Sequence, residues 1–417
     1  MKLIGNKSAL VALLTSSLVL VSGCQSTSSK VSSVGPSMVG PGAAQPLGSS
    51  KPVYTYNSDI FLNVAVPVFD PGFPMNGNVI DYDEIEEEGI WPQVRRLEAN
   101  RFAIATKDAL SETNAFGSIH VTPDASAVAD VYVLGNIITS DTETVELNIK
   151  VMDAKNTVWD EEKFEYRVSE GWYRDAMSRG ENPNGPIFTE VATFVYNLLM
   201  QKTEVYKKEV QQVADLRYAN MYGPETFSKY LSTSRKGVIE LVSMPSENDR
   251  MLKRIEAIQA KDEQFLDQLQ DSYESFWTIT EQPYRDYQRE TLPEAKRIRE
   301  LEEERTKKQV VGGLLAIGSA LLGKNSGSSL GQATALVAGV GAVASITSAV
   351  KTNKELQTQR KLVDEMGQNL DIEVAEQIVE FNDQRIELQG TATEQYYQLR
   401  SHLKEIYEME STPLTAL

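Results

Sequence analysis

The residue types that most often carry out catalysis are sparse in this sequence of 417 residues. Its only histidines are His120 and His402, and its only cysteine is Cys24. There is no HExxH, paired-histidine or cysteine–histidine spacing of a zinc site, and no GxSxG motif around a serine nucleophile. The sequence also lacks the P-loop motif GxxxxGK[ST] and a GxGxxG motif after a strand. The glycine pair Gly339 and Gly341 lies in a helical pattern of small residues, so we do not assign it to a phosphate-binding loop. We therefore predict no catalytic residues, no metal and no dissociable cofactor.

Carboxylates are the abundant titratable groups, and a pair of them can perform acid–base chemistry on a glycan. The densest cluster lies between residues 81 and 88, but it lacks the spaced ligands of an EF-hand. We interpret it as a solvated acidic loop, with a weak calcium site as the alternative. The acidic residues of the cluster are Asp81, Asp83, Glu84, Glu86, Glu87 and Glu88.

Two adjacent aromatic residues, Trp172 and Tyr173, lie in a polar part of the sequence. They would either contact a partner or, more commonly for such residues, pack on the core.

The one residue with a clear chemical assignment is Cys24. Two lysines, a short apolar stretch and the small residues Ser22 and Gly23 precede it, as in a secretory signal. The run from Leu20 to Cys24 resembles the lipobox of bacterial lipoproteins. That resemblance implies cleavage after Gly23 and covalent diacylglycerol and N-acyl lipids on Cys24. Two or more acyl chains are enough for stable anchoring in a membrane.

The net charge of the protein and the composition of the segment after Cys24 indicate where the protein is located and which partners it can bind. The formal net charge is −18, and loss of Lys2 and Lys7 with the signal leaves 39 basic against 59 acidic side chains, or −20. Such a protein is repelled by nucleic acid, so no nucleic-acid partner is expected. Residues 24–55 are rich in Ser, Gly and Pro and should form a flexible tether with a reach of roughly 30 Å. Gln25, where an inner-membrane lipoprotein usually has aspartate, favours the outer membrane by resemblance.

Residues 56–205 are predicted to form a small α/β domain within an α+β protein. The expected order is strand–helix–strand–strand–strand–helix. The near-continuous apolar run Ile60–Phe69 is typical of a strand buried on both faces, and Val145–Val151 alternates as a strand with one wet face does. Further strands are expected at Phe116–Val121, Asp130–Ile138 and Val158–Val168, with helices starting at Pro92 and Gly185.

This order resembles the N-terminal domain shared by TolB, the curli secretion protein CsgG and the LpoB-like penicillin-binding-protein activator lipoproteins. The resemblance implies a non-enzymatic protein that binds other envelope proteins or assembles into rings. The residues that carry it are Val64–Phe69, Ala109–Phe116, Ala129–Ile137 and Leu147–Ala154.

The rest of the chain is predicted to be helical. Residues 206–309 form a first arm, interrupted by Pro283 and Pro293, and residues 351–417 form a second. Apolar residues recur every three or four positions in both arms, so a helical hairpin or coiled coil is expected. The apolar positions of the second arm are Leu356, Val363, Met366, Leu370, Val374, Ile378, Phe381 and Leu388.

Residues 310–350, between the arms, are apolar and rich in glycine and alanine. Small residues four positions apart let helix backbones approach closely, as they do within membranes. Three readings stay open: packing within a homo-oligomer, insertion into a bilayer, or a flexible tip. The positions proposed to pack or insert are Gly312, Gly313, Gly318, Ala335, Gly339 and Gly341.

Together these patterns predict a non-enzymatic outer-membrane lipoprotein that scaffolds or assembles a cell-envelope or secretion machine. It faces the periplasm or the cell surface, forms a homo-oligomer and contacts other envelope proteins. A channel subunit with an inserted hairpin, and an activator of a peptidoglycan enzyme, are the alternatives.

Overall fold

A computed structural model describes residues 32–34, 52–322 and 367–411, apart from residues 170, 179, 247, 369, 370, 382 and 383. Of residues 32–34 and 301–322 it describes the backbone. The fold is mixed α and β, with one central sheet and a long helix.

Five strands form the central mixed sheet, and the three-residue strand β1 (Ser32–Val34) is added at one edge. The order across the sheet is β1-β8-β7-β6-β2-β5, with β2 parallel to both of its neighbours and β6, β7 and β8 antiparallel. The five strands are β2 (Val64–Pro67), β5 (Ile119–Thr122), β6 (Val131–Ser140), β7 (Thr144–Asp153) and β8 (Val158–Arg167).

The predicted hairpin of β7 and β8 is confirmed, and its turn explains why the chain reverses there. Asp153 Oδ1 accepts hydrogen bonds from the backbone N–H groups of Lys155 and Thr157. Asn156 adopts a left-handed conformation, with φ of 58°, which asparagine tolerates better than most residues. Side chains of β7 alternate between buried and half-buried, as predicted.

In the described part of the chain, seven helices surround or extend the sheet. Helices α2 and α3 pack against each other, with α2 on β2, β5 and β6 and α3 on β8. Helix α4 covers the β7–β8 turn through Val210, Val213 and Ala214, which pack on Ala154. The helices are α1 (Tyr82–Glu88), α2 (Pro92–Ser111), α3 (Gly185–Met200), α4 (Glu204–Tyr222), α5 (Pro224–Phe227), α6 (Arg250–Leu322) and α7 (Ala392–Ser411).

Three two-stranded hairpins complete the described residues. They pair β3 (Met75–Asn76) with β4 (Val79–Ile80), β9 (Leu231–Thr233) with β10 (Ile239–Leu241), and β11 (Gln377–Phe381) with β12 (Gln384–Leu388).

The first predicted arm, residues 206–309, is helical only in part: α4 and α6 lie mostly in it, but residues 231–241 form the hairpin β9–β10. Helix α6 continues through Pro283 and Pro293, although an interior proline costs roughly 3 kcal/mol. Burial of Tyr284 and Leu292 beside them offsets that cost. Its apolar stripe packs on the sheet domain and on α7.

Three other predictions were wrong. Residues 377–388 form the hairpin β11–β12, whereas a continuous helical arm was expected; alternation of buried Val379, Ile386 and Leu388 with exposed residues has the period of a strand. The acidic residues 81–88 form α1 instead of a loop, because Asp81 caps the first turn and Gly89 ends it with φ of 69°. Four strands separate α2 from α3, one more than in the predicted order strand–helix–strand–strand–strand–helix, although each of the four lies at a position where the sequence predicted a strand.

Candidate functional site

A buried charged junction joins α2 to α6. Arg101 of α2 is only 3% exposed. Its guanidinium donates to Thr280 Oγ1 (2.7 Å) and to the Trp277 carbonyl (3.2 Å), and it also pairs with Glu281. The same group lies 3.9 Å from the centroid of the Trp277 ring and 4.9 Å from that of Tyr284. Arg101 thus binds two turns of α6 at once.

Glu98 lies one turn earlier on α2 and is fully enclosed. The Tyr284 hydroxyl donates to Glu98 Oε1 at 2.7 Å, and Arg95 Nε lies 3.9 Å from Glu98 Oε2. Burial raises the pKa of Glu98 to about 7, although Arg95 and the Tyr284 hydrogen bond oppose this shift. Near neutral pH the junction therefore holds a carboxyl group that can gain or lose a proton.

Helix α6 also covers the edge of the sheet at β5. The Gln270 side chain accepts from the backbone N–H of Val121 at 2.9 Å and donates to the carbonyl of the same residue at 3.0 Å. Next to it, His120 Nε2 lies 2.8 Å from Asp267 Oδ1. These contacts occupy backbone groups that an edge strand would otherwise offer to another chain.

A second buried polar cluster lies where α4, α6 and α7 meet. Asp262 of α6 is 3% exposed, and burial raises its pKa to about 6 while the Arg400 guanidinium of α7 opposes the shift. Arg400 stacks on Tyr396, with its Cζ atom 5.1 Å from the ring centroid. Tyr218 of α4 adds a further buried ring. The long helix is therefore held along its first half by polar contacts on two sides.

Two contacts hold the chain on the sheet domain before and after the glycine-rich segment. Arg299 Nε donates to the buried carboxylate of Glu143 at 2.9 Å, in the turn between β6 and β7. On the return, Arg96 Nη1 donates to the Gln368 carbonyl at 3.1 Å. A Cβ atom on Gly367 would lie 1.9 Å from the Gln93 carbonyl oxygen, so this close approach requires glycine.

The predicted site residues fall partly inside the described part of the chain. Gly312, Gly313 and Gly318 lie in the last turns of α6. The lipidation and cleavage residues Cys24 and Gly23, and Ala335, Gly339 and Gly341 of the tip, lie outside the described residues, as do most of the tether and residues 351–366 of the second arm.

The two histidines are not brought together. His120 contacts α6, whereas His402 is half-exposed on α7, with Nδ1 3.6 Å from Glu405 Oε2. Among the described residues, no group of three or more His, Cys, Asp or Glu side chains is arranged to hold a metal. Trp172 is buried in the main core, in agreement with the commoner reading of that residue.

The residues that sequence reasoning missed are the buried charges Arg95, Glu98 and Arg101. Charged residues on an amphipathic helix are normally assigned to its solvated face. Helix α2 lies between the sheet and α6, so both of its faces are covered. The signal available in the sequence was the i, i+3, i+6 spacing of these charges, which places them near one another on α2.

Within the described ranges, no helix is both long enough and apolar enough to cross a bilayer. Comparison with protein-family models, with curated proteins and with solved structures found no match to this chain.

Proposed function

We propose that this chain is a non-enzymatic lipoprotein of the outer membrane, anchored by lipid on Cys24, that scaffolds or assembles a cell-envelope machine as a homo-oligomer. The observation that carries the proposal is the continuity of α6. One helix, about 110 Å long at 1.5 Å per residue, runs from the domain core into the glycine-rich apolar segment.

The contacts of α6 support a role in presenting that segment. Arg101 and Gln270 attach the first part of the helix to α2 and to the sheet edge. Farther along the chain, Arg299 pairs with Glu143, and the Gln368 carbonyl accepts a hydrogen bond from Arg96, so the chain contacts the same domain before and after the apolar segment. A helix that is attached to the domain at several points can hold the apolar segment in a fixed position. This arrangement suits a protein whose apolar segment packs against copies of itself or other envelope proteins.

Loss of the lipid anchor tests the membrane attachment. We expect Cys24→Ala to move from the membrane pellet to the supernatant on carbonate extraction, because carbonate removes proteins held only by peripheral contacts and this variant carries no acyl chains. Ser26→Ala, two residues away, is the control and should stay in the pellet. A Cys24→Ala protein that has lost residues 1–23, as judged by its mass, and still remains in the membrane would instead favour the channel subunit with an inserted hairpin.

The proposed oligomer is tested through its small residues. Gly339→Leu should lower the mass measured by light scattering on the detergent-solubilised protein, because a large side chain keeps closely packed helices apart. Gly327→Leu, in the polar stretch between the apolar runs, is the matched control and should leave the mass unchanged. A wild-type mass equal to one chain would contradict the oligomer.

A further inference from the structure

Large apolar side chains are exposed at the turn between α3 and α4. Met200, at the end of α3, is 49% exposed, and Val205, in the first turn of α4, is 79% exposed. Val158, at the start of β8, is a third exposed apolar residue at this end of the sheet. Single exposed apolar residues are ordinary, but their grouping marks an interaction surface.

Basic and aromatic groups lie among these apolar residues. Lys202 Nζ is 4.6 Å from the centroid of the Trp159 ring and 5.6 Å from that of Tyr206, so its apolar stem and charge rest on aromatic surface. The tip of the β9–β10 hairpin adds two exposed cations, Arg235 and Lys236.

Hydrogen bonds show that these groups share one end of the domain. Asn156 Nδ2, in the β7–β8 turn, donates to the Gly237 carbonyl at 3.3 Å, so the β9–β10 tip lies beside that turn. The nearby acidic residue Glu204 is paired with Lys207 at 2.5 Å. We call this set the anchor-side surface: Val158, Met200, Lys202, Val205, Arg235 and Lys236.

The chain that leads back to Cys24 meets the domain beside this surface. Ser58 Oγ donates to Glu204 Oε2 at 2.6 Å, next to Val205. Four residues earlier, Tyr54 and Thr193 of α3 share a hydrogen bond of 2.9 Å between their hydroxyl groups. The same chain also forms β1 on the edge strand β8, which carries Val158, and the seven residues between Cys24 and Ser32 have an r.m.s. reach of roughly 15 Å, so the anchor permits this surface to touch the bilayer.

We infer that the anchor-side surface docks on the phospholipid surface to which the chain is tethered. Exposed apolar side chains enter the boundary between headgroups and acyl chains, and tryptophan, tyrosine and lysine are the residues that favour this depth. The cations contact phosphates, while the net charge of −20 keeps the rest of the molecule away from anionic lipid. This inference rests on the proposed lipid anchor.

The test places an environment-sensitive fluorophore on the surface of the full lipidated chain. Since Cys24 is acylated, Met200→Cys and, separately, Val205→Cys provide one free thiol each for a nitrobenzoxadiazole label. Ile279→Cys on α6 and Val79→Cys in β4 are controls at similarly exposed apolar positions. The proteins are reconstituted into vesicles of phosphatidylethanolamine and phosphatidylglycerol.

We expect the labels at positions 200 and 205 to become severalfold brighter and blue-shifted in vesicles relative to detergent-free buffer, and the two control labels to change little. Charge reversal by Lys202→Glu with Arg235→Glu and Lys236→Glu should reduce the gain at position 205.

Two results overturn the inference. One is that the labels at all four positions give equal emission spectra on vesicles that carry the protein. Flotation of the protein with those vesicles would then show that the lipid anchor itself is intact. The other is protection of the labels at 200 and 205 by a co-purifying protein without vesicles, which would assign the surface to a protein partner. Failure of the wild-type protein to float would instead refute the proposed lipid anchor.

Discussion

Arg101 and Glu98 illustrate how single buried charges fix one element to another. A buried charge is tolerated when hydrogen bonds and an opposite charge replace its hydration, and Arg101 has both in Thr280 and Glu281. Glu98 has the Tyr284 hydroxyl and a more distant Arg95. Such groups stabilise the fold little more than well-packed apolar side chains would. Their hydrogen bonds, however, form in only one arrangement of α2 against α6.

Replacement of Arg101 tests that role. Arg101→Met should lower the free energy of unfolding by about 3 kcal/mol, because Glu281 and the Thr280 hydroxyl lose their buried partner. Urea denaturation of the full chain measures the loss. Arg167→Met, at a half-exposed arginine 3.9 Å from Glu165, is the control and should cost under about 1 kcal/mol. Equal losses in both variants would contradict a special role for Arg101.

Glu98 should make stability depend on pH. Its folded pKa of about 7 is above the ordinary 4.5, so the folded chain binds more protons between these values. The resulting stabilisation is complete below about pH 4.5 and is lost as pH rises through about 7. Glu98→Gln should flatten this part of the curve of unfolding free energy against pH. The exposed control Glu87→Gln should retain it, and an unchanged slope in Glu98→Gln would refute the assignment.

At the scale of elements, α6 covers one edge of the central sheet. Strand β5 is only four residues long, and an uncovered edge strand invites pairing with another chain. The side-chain amide of Gln270 accepts one hydrogen bond from the Val121 backbone N–H and donates one to the Val121 carbonyl. A neighbouring strand would make the same pair of contacts. The opposite edge ends in the short strand β1.

Gln270→Leu should expose that edge. We expect faster amide hydrogen exchange at Val121 and more aggregation on heating, because two backbone groups lose their partner while the apolar packing stays. Gln264→Leu, on an exposed face of the same helix, adds an apolar side chain without touching β5 and serves as control. Val121 exchange that is unchanged relative to wild type would contradict the edge-covering role.

Elements with local signals were predictable, and those decided by distant contacts were not. The β7–β8 hairpin follows from Asp153 and Asn156 in its own turn, and the start of α2 follows from Pro92. The hairpin β11–β12 was missed because Val374, Ile378 and Phe381 also fit helical spacing, and only the burial of Ile386 and Leu388, two positions apart on β12, shows the period of two. The charged junction depends on α6 reaching α2 from more than 170 positions away, which no local pattern reports.

At the scale of the molecule, the sheet domain and the helices share one core. A continuous cluster of buried side chains extends from Leu62 of the sheet domain to Tyr407 of α7 and includes Ile255 and Phe265 of α6. The division into a domain and separate arms, suggested by composition, therefore does not correspond to separate cores in the described residues.

A shared core should unfold as one unit. Urea transitions of the full chain followed by tryptophan fluorescence, which mainly reports the sheet domain, and by far-UV circular dichroism, which mainly reports the helices, should have the same midpoint. Three of the four tryptophans, Trp91, Trp159 and Trp172, precede residue 205. Distinct midpoints would show that α6 and α7 separate from the sheet before it unfolds.

The paired contacts of Arg299 with Glu143 and of Arg96 with Gln368 have a thermodynamic consequence for the chain between them. Bringing together two points of an unfolded chain that are roughly 70 residues apart costs on the order of 4 kcal/mol in conformational entropy. Here that cost is met when the domain folds. Whatever the intervening apolar residues bind, their two ends are already held on one domain, so that cost does not weaken the binding.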